Sequence, residues 1–154
     1  MAAHGGEVVA LYSAGVATPA AAAGAAYTDL RAHASSDRPY LKRVEITVNA
    51  ATASSIGLYR SATVGTASTT VIGVAHEVAN PAVTTLVGTA WSSAPTVSTA
   101  VPLRRIVTPA TAGYPIIWDF VGMEISIAVG ATLVLWNFGA AAGSVLHVEW
   151  TWDE

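Results

Sequence analysis

Alternation of apolar and polar side chains is clearest at the C-terminal end of the chain. From Ser144 to Trp152, Leu146, Val148, Trp150 and Trp152 share one face, while Val145, His147, Glu149 and Thr151 share the other. A period of two bounded by glycine turns marks a half-buried antiparallel strand. Ile116, Trp118 and Phe120 alternate in the same way with Ile117 and Asp119, and residues 131–137 run apolar on both faces. Four of the five tryptophans fall in these three stretches, so the densest part of the core is expected there.

Upstream, residues 40–49 form the clearest amphipathic strand, with Val44, Ile46 and Val48 inward and Glu45, Thr47 and Asn49 outward. Further strands are expected at 27–33, 55–60, 70–77, 85–91 and 101–107, where Pro102 marks a strand start or an edge position. Turn signals recur between these short strands, and no helix of three or more turns stands out. The pattern is that of an all-β, antiparallel β-sandwich, jelly-roll-like or immunoglobulin-like. The absence of a Cys…Trp…Cys framework speaks against the second.

Residues 1–24 read differently. They are rich in Ala and Gly, with one strand-like run at 7–12, and hold too little large apolar surface for a core of their own. The expected organisation is therefore an N-terminal arm, 1–24, that docks on a neighbouring subunit, followed by a β-sandwich domain, 25–154.

Composition adds a constraint on surface. The chain has 154 residues, 53% of them hydrophobic, and only 17 charged side chains, 7 basic and 10 acidic. A monomer of this size exposes roughly 7,000 Å², so charge covers it thinly. Extensive neutral surface suits a subunit that meets other protein. The net charge of −3 argues against a nucleic-acid partner. With no cysteine, the chain has neither disulfides, Cys-ligated zinc nor a thiol nucleophile. Apolar runs are broken every few residues by Gly, Pro, Ser or Thr, so no membrane-spanning helix is expected. The first basic residue is Arg31, and Glu7 sits where a signal peptide carries positive charge, so no leader is expected either.

Chemistry has little to build on. The carboxylates Asp119 and Glu124 flank a turn, and Glu149, Asp153 and Glu154 lie at the C-terminal end, but nothing selects a pair for glycoside hydrolysis. His4, His33, His76 and His147 lack the local spacing of a metal pair. There is neither a Gly-x-Ser-x-Gly elbow nor a Gly-rich phosphate loop. No catalytic, cofactor or metal residue is assigned.

Interaction residues remain. On the strand at 40–49, Lys42 is expected on the face of Val44 and Arg43 on the other; Arg104 and Arg105 must also point to opposite faces. An inward charge needs a partner, and Glu45, Asp119, Glu124 and Glu149 are the carboxylates available. Arg104 or Arg105 is expected to cross a subunit boundary. Tyr12, Trp91 and Tyr114 lie near loops, where aromatic rings pack at interfaces or stack on sugars.

Residues 48–60 (VNAATASSIGLYR), 90–97 (AWSSAPTV), 103–106 (LRRI), 133–137 (LVLWN) and the closing Asp153-Glu154 resemble small structural proteins of tailed bacteriophages. The resemblance spans about residues 40–154 and rests on strand and turn sequences. It implies a β-sandwich virion component, commonly a head decoration (cement) protein or a tail or fibre module, often trimeric, and carries over no catalytic residue. The expectation is a non-enzymatic homo-oligomer, a trimer, on the capsid surface. It would bind the major capsid protein and assemble in the bacterial host cytoplasm without nucleic acid, membrane or cofactor. The alternative is a tail, fibre or head-surface module that binds a receptor or glycan.

Overall fold

The computed structural model describes residues 10–35 and 38–154. In chain order the strands are β1 (Leu11–Ala17), β2 (Ala26–Arg31), β3 (Tyr40–Val48), β4 (Ser55–Thr63), β5 (Thr66–Ile72), β6 (Val74–Ala75) and β7 (Leu86–Ser93). They continue with β8 (Thr96–Val97), β9 (Arg104–Val107), β10 (Tyr114–Asp119), β11 (Ile125–Ser126), β12 (Thr132–Asn137) and β13 (Leu146–Asp153). All pairings are antiparallel.

Two sheets face each other, and their order decides the topology. The first runs β10-β3-β13-β1-β6; the second runs β5-β7-β2-β12-β4, with β9 beside β4. The eight strands β1, β2, β3, β4, β9, β10, β12 and β13 thus form the two interleaved four-stranded sheets, β1-β13-β3-β10 and β2-β12-β4-β9, of a jelly roll. The segment holding β5, β6 and β7 is inserted between β4 and β9. It widens the second sheet beyond β2 and the first beyond β1.

Register explains the core. Across the first sheet, Ala14, Trp150, Val44 and Trp118 stand side by side, and Val16, Val148, Ile46 and Ile116 form the next row. Trp150, Trp152, Val44 and Ile46 are shielded from solvent against Leu30, Leu58, Leu133 and Leu135 of the second sheet. The alternation expected in β3 and β13 is what the fold uses. β12 is buried on both faces: Leu133 and Leu135 enter the main core, while Val134 and Trp136 join Ala26 and Tyr59 in a second cluster outside the second sheet. Glycines make that outer cluster possible. Tyr59 lies flat over Gly57, and the Asp29 carboxylate lies over Gly88, where a Cβ would collide with either.

Two expectations need correction. Residues 1–9 lie outside the described residues, but residues 10–24 are part of the sandwich and not an arm. β1 is an interior strand between β13 and β6. Its Ala14 is a packing complement, opposite the fully buried Trp150. The link after it is also fixed: Asn137 Nδ2 donates to the Ala21 and Ala141 carbonyls at 3.0 and 2.9 Å, tying two chain segments together. The second correction concerns Lys42. β3 carries a bulge there, with Trp152 opposite Leu41 and Thr151 opposite Arg43. The extra residue turns Lys42 to the outer side and leaves Leu41 inside.

Candidate interaction surfaces

The outer face of the first sheet follows from the same register. Gly15, Glu149, Glu45 and Ile117 form one row across β1, β13, β3 and β10; Ser13, Thr151, Arg43 and Asp119 form the next. Two shallow depressions meet at Glu45 and Glu149. One, of about 500 Å³, extends over Arg43 and Thr151 to Lys42 and Asp153, with Leu11 and Val121 as apolar walls. The other, of about 520 Å³, extends over Gly15, Thr47 and His147. Together they make one open groove.

Its charges are unevenly matched. Lys42 Nζ lies 2.6 Å from Asp153 and 3.1 Å from Glu124. Arg43 reaches Asp119 at 3.2 Å and Glu45 at 3.4 Å. Glu149, directly opposite Glu45, has no ion-pair partner among the described residues. Like charges in opposed positions of neighbouring strands repel. Asp153 is almost fully buried, and its Oδ1 has no hydrogen-bond partner among the described residues.

Burial pulls the Lys42 ammonium down, but contact with Asp153 and Glu124 outweighs it and raises its pKa. The Val121 N–H, followed by Arg43, holds Asp119 below its ordinary value. Backbone N–H groups of Glu124 and Gly122, then Lys42, lower Glu124 from 4.5 to about 2. A carboxylate with a depressed folded pKa contributes stability above its unfolded pKa and loses it as pH falls through the folded one. The melting temperature should therefore fall between pH 4.5 and about pH 2, and Glu124→Gln should flatten part of that fall. Parallel acid-melting curves for the two proteins would contradict this.

Compared with known proteins, the chain matches no family model, no curated protein and no solved structure.

The residues singled out from sequence do not converge. Tyr12 is 1% exposed; its ring stacks on Trp152 at 6.1 Å and its hydroxyl donates to the Pro81 carbonyl, so it is a core residue and not an interface one. Tyr114 is half-buried on β10, in the other sheet from Trp91, and the three aromatics form no common platform. Trp91 Nε1 donates to Asp29 at 3.4 Å on the outside of the second sheet. Burial raises the Asp29 carboxyl, partly offset by Arg31 at 2.9 Å and by Trp91. His147 is exposed, and His76 pairs with the Ser13 hydroxyl at 3.1 Å. Among the described residues no cluster of three or more His, Asp or Glu is arranged to hold a metal.

Arg104 and Arg105 do point to opposite faces, since Arg104 pairs with Leu58 and Arg105 with Gly57. Both find aromatic rings where carboxylates were expected. Arg104 lies over Phe120 at 5.1 Å and Arg105 over Phe138 at 3.9 Å. Nearby on β4, Arg60 Nη1 donates to the Ser126 carbonyl at 2.7 Å. None of these three arginines has a carboxylate partner among the described residues. Exposed apolar side chains accompany both surfaces: Ile117, Val121 and Met123 flank the groove on β10 and the turn after it, while Val107 and Val101 lie on and just before β9.

Proposed function

We propose that this protein is a structural component of a tailed-bacteriophage virion. In this reading the jelly roll decorates and stabilises the capsid as a homo-oligomer, a trimer, bound to the major capsid protein, and performs no catalysis. It is placed on the capsid surface after assembly in the bacterial host cytoplasm, with no nucleic acid or membrane as partner.

The observation that carries the reading is the surface. Among the described residues nine large Ile, Val and Met side chains stand exposed, from Val129 at 43% upward, on a chain with few charges to keep it apart from its neighbours. Apolar surface of this extent favours contact with other protein. Jelly rolls are a recurrent architecture of viral shells as well as lectins, and the phage-like strand and turn sequences at 40–154 favour the first. Decoration draws its strength from many copies of a modest contact. Residues 10–24 serve this reading as part of the sandwich and not as an arm.

The test is co-sedimentation with capsids assembled without this protein. The purified chain should pellet with them up to a fixed number of copies and raise the temperature at which they open. A chain that stays in the supernatant at every capsid concentration would contradict the proposal.

A further inference from the structure

We infer that the acidic groove on the first sheet is the docking site for the arginine edge of a second copy of this chain. The inference rests on the reading of the protein as an assembling subunit, and it specifies which two surfaces meet.

The groove has unsatisfied acceptors. Glu45, Asp119, Glu124, Glu149 and Asp153 surround it against the cations Lys42 and Arg43, so this side carries excess negative charge. Both cations are already shared between two carboxylates each, and Glu149 is left out. Asp153 is already engaged by Lys42. Its side chain, 6% exposed, lines the groove with Oδ2 on Lys42, so it adds negative charge there without offering a free acceptor.

The matching donors sit along β4 and β9, at the edge of the second sheet. Arg60, Arg104 and Arg105 together carry excess positive charge without a carboxylate among the described residues. The Phe120 and Phe138 rings hold two of the guanidinium groups; Arg104 Nη1 also donates to the Leu103 carbonyl, and each group keeps further N–H donors. Opposed residues on paired strands lie about 5 Å apart, a spacing that one guanidinium fork can bridge. A partner arginine between Glu45 and Glu149 would turn a repulsive pair into two charge-assisted hydrogen bonds. The apolar rims agree: Ile117 and Val121 beside the groove would meet Val101 and Val107 beside the arginines. Because the surfaces are unlike, copies exchange the contact reciprocally or pass it around a closed ring.

Three exposed-residue variants of the full chain test this by native mass spectrometry: Glu149→Arg, the double change Arg104→Glu with Arg105→Glu, and all three together. Each parent should weaken assembly at least about a hundredfold, because like charges then face each other across the contact. The combined variant should regain most of the loss. Near-ultraviolet circular dichroism checks that each variant is folded, and Arg104→Gln with Arg105→Gln serves if the reversed pair is not. Wild-type chain that remains monomeric, reversals that leave the mass distribution unchanged, or a combined variant no better than its parents would each overturn the inference. An oligomer indifferent to these charges would still allow capsid decoration through other surfaces. Charge-dependent assembly without capsid binding would retain this contact and reject the virion role.

Discussion

A chain shortened to begin at Thr18 will not form the sandwich. β1 pairs with β13 along seven residues, from Leu11 opposite Asp153 to Ala17 opposite His147, and its other edge receives β6. Its removal uncovers Trp150, Trp152 and Val148 on one side and takes away Tyr12, which stacks on Trp152. Deleting the packing around a single large core side chain costs about 3–5 kcal/mol. Whole domains are stable by only about 5–15 kcal/mol, so losing one interior strand exceeds what the fold can absorb. The truncated protein should show red-shifted tryptophan emission and no cooperative melt. A cooperative melt near that of the full chain would mean that residues 10–17 are a dispensable arm after all.

Trp150→Ala should destabilise the protein by about 3–5 kcal/mol, measured as a shift in the urea midpoint. Trp150 is fully buried in the row that also holds Ala14, Val44 and Trp118. Ala14 has no side chain to move into the void, and β-branched Val44 has one strongly preferred rotamer. One residue away, Glu149→Ala should stay within about 0.5 kcal/mol of the parent or gain slightly, since it removes a charge that faces Glu45. The contrast isolates the alternation itself. Equal losses at 149 and 150 would show that the register is wrong.

The strands with strong alternation were legible from the sequence. In β3 and β13 a slip of one residue would put Val44, Ile46, Val148 and Trp150 in water, so pattern determines face. β1 was misread because its Ala and Gly were judged alone. Ala14 is small where β13 sets Trp150 opposite it, and pairing across more than a hundred residues is invisible in a local window. Tyr12 was misassigned for the same reason. Lys42 was placed on the wrong side because strict alternation knows nothing of a bulge. The choice between jelly-roll and immunoglobulin-like topology depends on β1 meeting β13 and β4 meeting β9, which is again a matter of non-local order.

The groove shows the same division. Alternation alone puts Glu45 and Glu149 on outer faces; only the register of β3 against β13 makes them neighbours. The sequence reading paired charges by sign and sought carboxylates for Arg104 and Arg105. It overlooked that a guanidinium at the edge of a sandwich can rest on an aromatic face such as Phe120 or Phe138. Arg60, also without a carboxylate, was not singled out; its position opposite Leu133 on β12 gives it access to Ser126 across the open edge.

The most direct test of the account is the mass of the wild-type protein in solution by sedimentation equilibrium over a range of concentrations. An assembling subunit should give a discrete multiple of 15.7 kDa that shifts downward as salt is raised, because exposed charge contacts are screened. A single species of 15.7 kDa at every concentration and salt level would contradict it, and the exposed apolar side chains would then need another explanation.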